Sequence, residues 1–195
     1  MGDYFERVVD TEVSVEDAGV LAARVIDWLV AEGIVTRAMD SSGVYGLYAD
    51  EGYRPGPHWE RAVEDPGWEP GPLAVVIGRH HHVGGQGQDE AEYADCPRCD
   101  ARTTFIDYPA SFAADEEIWA PFRAAVTTWE QTGSGRAACA ACGASSPVTD
   151  WRWGDAYALG ALTFEFCGWP PLSDTFVEDL GRRLGHRTSR HMGKV

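Results

Sequence analysis

Ala161-Leu162-Thr163-Phe164-Glu165-Phe166-Cys167 places Leu162, Phe164 and Phe166 on one side of an extended chain and Thr163 and Glu165 on the other. That period of two predicts a strand. Pro170-Pro171 breaks it, and Ser173 or Thr175 then caps a helix carrying Phe176, Leu180 and Leu184. Gly185 supplies the left-handed residue that stops the helix. The run 186–193 reads as a final edge strand. The C-terminal third is therefore strand, helix, strand.

The N-terminal third repeats that plan. Residues 4–13 read as a first strand, and Ser14 caps a helix with Asp17 as a shortened capping-box partner. Leu21, Val25, Trp28 and Leu29 follow at helical spacing, and Gly33 ends the helix. Leu73-Ala74-Val75-Val76-Ile77-Gly78 has the continuous apolar character of a buried strand. The order strand, helix, strand, strand, helix, strand predicts an α+β chain of ferredoxin-like split βαβ type. On this plan residues 1–195 form a single domain, and 79–155 is a zinc-knuckle subdomain inserted in the central hairpin. The insertion holds a helix near 116–131 with Ile118, Phe122, Val126 and Trp129 on its buried stripe. Between 36 and 72 no period survives. Two Pro-Gly-Pro triplets bracket a single helical turn at 58–63, and the rest reads as a turn-rich loop holding Tyr45, Tyr48, Tyr53, Trp59 and Trp68.

Two Cys-x-x-Cys pairs carry the clearest chemistry: Cys96-Pro97-Arg98-Cys99 and Cys139-Ala140-Ala141-Cys142. A pair at this spacing presents two thiolates to one metal, and four thiolates satisfy a tetrahedral zinc ion. The residue after the second cysteine favours a left-handed conformation, which suits Gly143 and is tolerated by Asp100. Both halves resemble the knuckles of zinc-ribbon and rubredoxin-like modules, although the gap from Cys99 to Cys139 exceeds the usual ribbon spacing. The expected cofactor is one structural zinc per chain, with iron the residual choice. A redox pair or a disulfide framework fits less well, because there are two pairs and no secretion signal. Cys167, in an apolar strand, reads as a small buried hydrophobe.

Other chemistry is sparse. No Walker loop, Rossmann glycine pattern, nucleophile elbow or His-Glu-x-x-His helix occurs. His80-His81-His82 places His80 and His82 on one face of a strand, where they could bind a second ion with Asp89, Glu90 or Glu92. The bland alternative is a solvated strand end. Trp151-Arg152-Trp153 and Trp169-Pro170 read as core cover.

The net charge of −15 is unevenly spread. Residues 180–195 hold five basic and no acidic side chains, and the first 179 hold 11 basic against 31 acidic, a net −20. Nucleic acid is an unsuitable partner for such a surface. No apolar run suffices to cross a bilayer, and the acidic N-terminus lacks a signal-peptide core, so the expected location is the cytoplasm.

The stretches Tyr53-Arg54-Pro55-Gly56-Pro57, Phe164-Glu165-Phe166 and Trp169-Pro170-Pro171-Leu172 resemble uncharacterised bacterial hypothetical proteins with two Cys-x-x-Cys knuckles. The resemblance implies the zinc site and no activity. The functional expectation is a non-enzymatic, zinc-stapled acidic protein that binds a basic protein partner, for instance as an immunity or inhibitor protein, with Trp59 and Trp68 as contact residues. One alternative is an enzyme whose pocket is formed by the 36–72 loop with His58 or His80. Another is a structural subunit of a larger assembly.

Overall fold

A computed structural model describes residues 4–44, 48–86 and 89–194. The elements are β1 (Tyr4–Asp10), α1 (Val15–Ala31), β2 (Val35–Asp40), β3 (Gly52–Pro55), β4 (Leu73–Val83), β5 (Gly85–Gln86), β6 (Tyr93–Asp95), β7 (Arg102–Thr104), α2 (Glu116–Thr132), β8 (Arg136–Ala138), β9 (Ser145–Pro147), β10 (Arg152–Trp153), β11 (Tyr157–Cys167), α3 (Asp174–Leu184) and β12 (Thr188–Lys194). The chain is mixed α+β, with three helices and a mainly antiparallel sheet. It divides into two compact units, one of Met1–Gly78, Gly85–Gly87 and Gly160–Val195, the other of Arg79–Gly84 and Gln88–Leu159.

The first unit is built on a seven-stranded sheet in the order β2-β3-β4-β11-β1-β12-β5. Strand β1 pairs antiparallel with both β11 and β12, with Val8 opposite Phe164 and Arg7 opposite His191. Strands β11 and β12 are therefore parallel to each other, joined through α3, with β1 between them. Val8, Leu162, Phe164 and Phe166 share a core with Leu21, Val25 and Leu29 of α1 and with Phe176, Leu180 and Leu184 of α3. Both helices thus cover the same face of the sheet, and Trp28 stacks on Phe176 at 6.0 Å between ring centroids.

Local chemistry explains where the helices begin and end. Ser14 Oγ accepts from the Asp17 amide at 3.1 Å and donates to Asp17 Oδ2 at 3.0 Å, which satisfies one of the first free amides of α1. Ser173 does the same for α3 by accepting from the Phe176 amide at 3.2 Å, and Gly185 closes α3 at φ 75°. Strand β1 stops at Asp10 because that carboxylate turns the chain, accepting from the amides of Glu12 and Val13 at 3.0 and 2.9 Å.

Several expectations need correction. The 36–72 stretch is not loop throughout: β2 and β3 lie in it, and Trp59–Ala62 forms a 3₁₀ turn. Strand β2 is the sheet's outer strand and only Val35 in it is buried, so no buried period marked it. Tyr45 lies outside the described residues. Strand β4 runs on through His80-His81-His82. Strand β12 is not an edge, because the two-residue β5 pairs along its outer side.

The second unit has its own core of Phe105, Trp119, Phe122, Val126, Trp129, Trp151 and neighbours. Helix α2 is capped by Asp115, which accepts from the Glu117 amide at 3.0 Å. Its buried stripe starts at Trp119, whereas Ile118 is exposed. Gly133-Ser134-Gly135 carries the chain out of α2 toward β8. Gly133 ends α2 at φ 80°, and a Cβ on Gly135 would stand 1.8 Å from the Ala125 carbonyl oxygen, so only glycine lets the chain pass so close to α2.

Candidate metal centre

Each cysteine pair occupies the turn of a short hairpin. Strands β6 and β7 bring Asp95 opposite Arg102 and enclose the first pair; β8 and β9 bring Ala138 opposite Ser145 and enclose the second. The two turns share one hydrogen-bond pattern. The Cys96 amide donates to the Ala101 carbonyl at 3.0 Å and the Asp100 amide to the Cys96 carbonyl at 3.0 Å. In the second turn Cys139 donates to Ala144 at 2.9 Å and Gly143 to Cys139 at 2.8 Å. Asp100 has φ 58° and is the one non-glycine residue with positive φ among the described residues; Gly143 has φ 70°. In each turn the amides that follow the first cysteine point back at its sulfur. The Arg98 amide donates to Cys96 Sγ at 3.4 Å.

The hairpins bring four sulfurs together. Cys96 Sγ lies 3.9 Å from Cys142 Sγ and Cys99 Sγ lies 3.8 Å from Cys139 Sγ, and all four atoms fall within 4.8 Å of one another. Tetrahedral thiolate ligands at about 2.3 Å from one ion stand about 3.8 Å apart, so the donor set fits a metal ion. A disulfide would need a separation of about 2.05 Å. Among the described residues this is the one group able to hold a metal. Cys96 and Cys139 are buried in the second unit's core, and Cys99 and Cys142 are exposed. The Cys142 amide aimed at its sulfur, helped by the Ala141 amide and the Cys96 and Cys142 sulfurs, holds the Cys139 thiol down to about 7 against the opposing effect of burial. At Cys99 the Ala101 amide pulls the same way. The neighbouring Cys142 sulfur, burial and the other two sulfurs together outweigh it and push this thiol up to about 12. Four thiols crowded this closely cannot all ionise without a cation among them.

Around the first hairpin, Arg102 grips Asp95 through two bonds of 2.8 and 3.0 Å and lies over the Tyr93 ring. The guanidinium holds the Asp95 carboxyl below its usual range. Arg152 donates to Asp100 at 2.7 Å, but both side chains are exposed and such a pair stabilises little.

The histidine run is arranged differently from the expected second ion site. His80 and His82 do share a face, with ring centroids 6.4 Å apart, but no metal-holding group includes them among the described residues. His82 is buried, so the run is not a solvated strand end. The interaction that sequence spacing did not reveal belongs to His81. Its Nδ1 meets Glu130 Oε1 at 2.8 Å, its Nε2 meets Asp89 Oδ1 at 2.9 Å, and its ring stacks on Tyr157 at 5.7 Å. Glu130 lies 49 positions away on α2, and it also accepts from the His81 amide at 3.0 Å.

Burial opposes a charge on His81, but hydrogen bonds and charge from Asp89 and Glu130 outweigh it and raise its pKa. Stability from this group is therefore complete below the unfolded value of about 6.5 and is lost as pH rises through the folded value. His81→Gln is expected to cost about 1–2 kcal/mol at pH 6, and less at pH 9. Urea melts at the two pH values check this; an equal cost at both would show that the ring is neutral in the fold.

The remaining expected contact and catalytic residues all lie in the first unit. Trp59 is partly buried and meets Trp169 edge-on at 6.3 Å, so it belongs to the core margin. Trp68 is 52% exposed, and its indole N–H donates to the Gly168 carbonyl at 2.8 Å. His58 is exposed, precedes the 3₁₀ turn and packs its ring against Gly33. No helix is long and apolar enough to cross a membrane among the described residues. The chain matches no protein-family model, no curated protein and no solved structure.

Proposed function

We propose that Cys96, Cys99, Cys139 and Cys142 hold one structural zinc ion, and that the chain is a non-enzymatic acidic protein that binds a basic protein partner. Four thiolates fill a tetrahedral zinc and leave no position for substrate or water, so the metal's contribution is to hold the two hairpins together. We read the second unit as a zinc-ribbon-like insertion and the first as a ferredoxin-like sheet. The placement of β1 between the parallel strands β11 and β12 supports the second of these readings.

The observation that carries the partner reading is how the basic C-terminal stretch is used. Arg190 pairs with Glu6 and Asp174, Arg187 with Glu12, and Arg182 with Asp179. These arginines are taken up by nearby carboxylates and offer no basic face of their own. Glu64, Asp65 and Glu69, close to Trp68 in sequence, are exposed and have no ion-pair partner among the described residues. An exposed indole in an acidic stretch of chain suits a basic surface, since the indole supplies contact area and the charges speed encounter. An immunity or inhibitor protein opposing a basic target is a concrete form of this reading.

The test is affinity capture from the native host at about 50 mM and 500 mM salt, across which the screening length falls several-fold. The expected result is a basic protein retained at low salt, released at high salt, and retained less by Trp68→Ala. Capture that ignores both salt and Trp68, or no basic protein at all, would overturn the reading.

A further inference from the structure

Two helices cover one face of the seven-stranded sheet, and beyond α1 no other helix of the described residues covers that face over the outer strands. Ile77 of β4 is 49% exposed and Met39 of β2 is 39% exposed, while Val75 and Tyr53 are partly buried against the core that α1 caps. These side chains and the flank of α1 line a single groove. The helix contributes Gly19, Ala22, Ala23 and Ile26, which recur at i, i+3, i+4 and i+7 and so form one continuous ridge. Ala22 and Ile26 are already buried in the core, and the exposed members Gly19 and Ala23 are small enough to let a second helix approach at the short end of the usual 8–10 Å interaxial distance. The groove is thus the position a third helix of the same layer would occupy.

Charge selects the kind of helix. The charged residues lining the groove are Asp50 and Glu51, both exposed, and neither has an ion-pair partner among the described residues. No Lys or Arg lines it. An acidic helix would place like charges together, whereas one with Lys or Arg beside its apolar stripe would pair with Asp50 and Glu51. We propose that this groove takes an amphipathic basic helix of a partner protein, packed alongside α1 with its apolar stripe on Met39 and Ile77. The inference rests on the basic-partner reading above and names the surface that would meet that partner.

Gly19 gives the test its cleanest variant. A Cβ there meets nothing within 4 Å, and the residue is an ordinary helical position in the lining of the groove, so Gly19→Trp places an indole in the groove. Gly19→Ala serves as a control that strengthens the helix and leaves the groove open. The probe is a synthetic 18-residue Leu/Lys amphipathic helix, with a Leu/Glu peptide of the same apolar pattern for comparison. Binding is read by fluorescence anisotropy and by backbone amide NMR shifts.

The expected result has four parts. The Leu/Lys peptide binds with shifts centred on Ala22, Ala23, Met39 and Ile77. Gly19→Trp and Ile77→Asp each weaken it at least tenfold with thermal melts unchanged. Gly19→Ala leaves binding intact, and the Leu/Glu peptide binds at least tenfold more weakly. Binding that survives both groove variants, or equal binding of the Leu/Glu peptide, would overturn the proposal. So would a wild-type dimer abolished by Gly19→Trp, since the occupant would then be a second copy of this chain. Salt-sensitive capture through Trp68 together with an inert groove would sink the groove alone. A responsive groove with no basic protein captured from the host would sink the partner reading and leave the groove standing.

Discussion

Purified protein is expected to carry one zinc per chain by elemental analysis, and Cys99→Ser or Cys139→Ser is expected to lose most of it. In isolated zinc fingers the metal supplies on the order of 10 kcal/mol of apparent folding free energy. Here the aromatic core around Phe105, Phe122 and Trp151 supplies part of what small fingers lack, so the second unit should loosen without unfolding fully. Hydrogen exchange reads this locally. Amides of β6 to β9 should lose protection in the serine variants, while those of α1 and α3 keep theirs, because their core is a separate cluster. Cys139→Ser should cost more than Cys99→Ser, since Cys139 is buried and Cys99 is exposed. Metal-free native protein, or serine variants that melt like the wild type, would end the zinc reading.

The second large effect is expected at Arg190. Its guanidinium meets the carboxylate of Glu6, whose side chain is fully buried, and donates to the Leu172 carbonyl at 2.7 Å and to Asp174 at 2.8 Å. The other Glu6 oxygen accepts from the Leu172 amide at 3.0 Å. This cluster ties the first strand to the chain just before α3. Arg190→Met leaves a buried carboxylate with one amide as its partner, and removing one member of a buried pair costs about 3–5 kcal/mol. Burial already raises the Glu6 pKa, with the Leu172 amide and Arg190 holding it back. Without Arg190 the pKa must rise further. The folded state then binds a proton that the unfolded state does not, so stability increases as pH falls toward the folded value. The Arg190→Met deficit in urea melts should therefore shrink between pH 7 and pH 5. Glu6→Gln in the same chain should recover part of the loss. A deficit that is small, or that grows on acidification, would show the pair to be dispensable.

The legible features were those carried by residues close together in sequence. Ser14 with Asp17, and Ser173 ahead of the α3 stripe, marked both capped helices. The Cys-x-x-Cys spacing with Gly143 marked the second hairpin fully, and Asp100 marked the first because aspartate tolerates the left-handed region. What stayed hidden depended on distant partners or on exposure. Strand β2 is the sheet's outer strand, where solvent replaces one neighbour and erases the apolar period, and β3 inside it is only four residues long, with a glycine and a proline among them. His81 drew less notice than His80 and His82 because its partner Glu130 belongs to another element. Ile118 looked like core because it falls one turn before Phe122, yet the helix turns Trp119 inward instead. The groove beside α1 had no signature in the sequence, since it exists only through a helix that the layer lacks.

The position of β1 between β11 and β12 also fixes an order of events during synthesis. Arg7 and its partner Glu165 stand 158 positions apart, and Glu6 and Arg190 stand 184 apart. Strand β1 therefore has neither neighbour until β11 and then β12 have followed it out of the ribosome. Residues 88–159 leave earlier, and both cysteine hairpins lie within them. All four sulfurs can meet a metal while β1 and the apolar face of α1 are still waiting for β11, α3 and β12. Pairings between such remote segments are slow to close. Strand β1 and the apolar face of α1 thus wait together through that interval, with Glu16 and Asp17 charging the first turn of the helix.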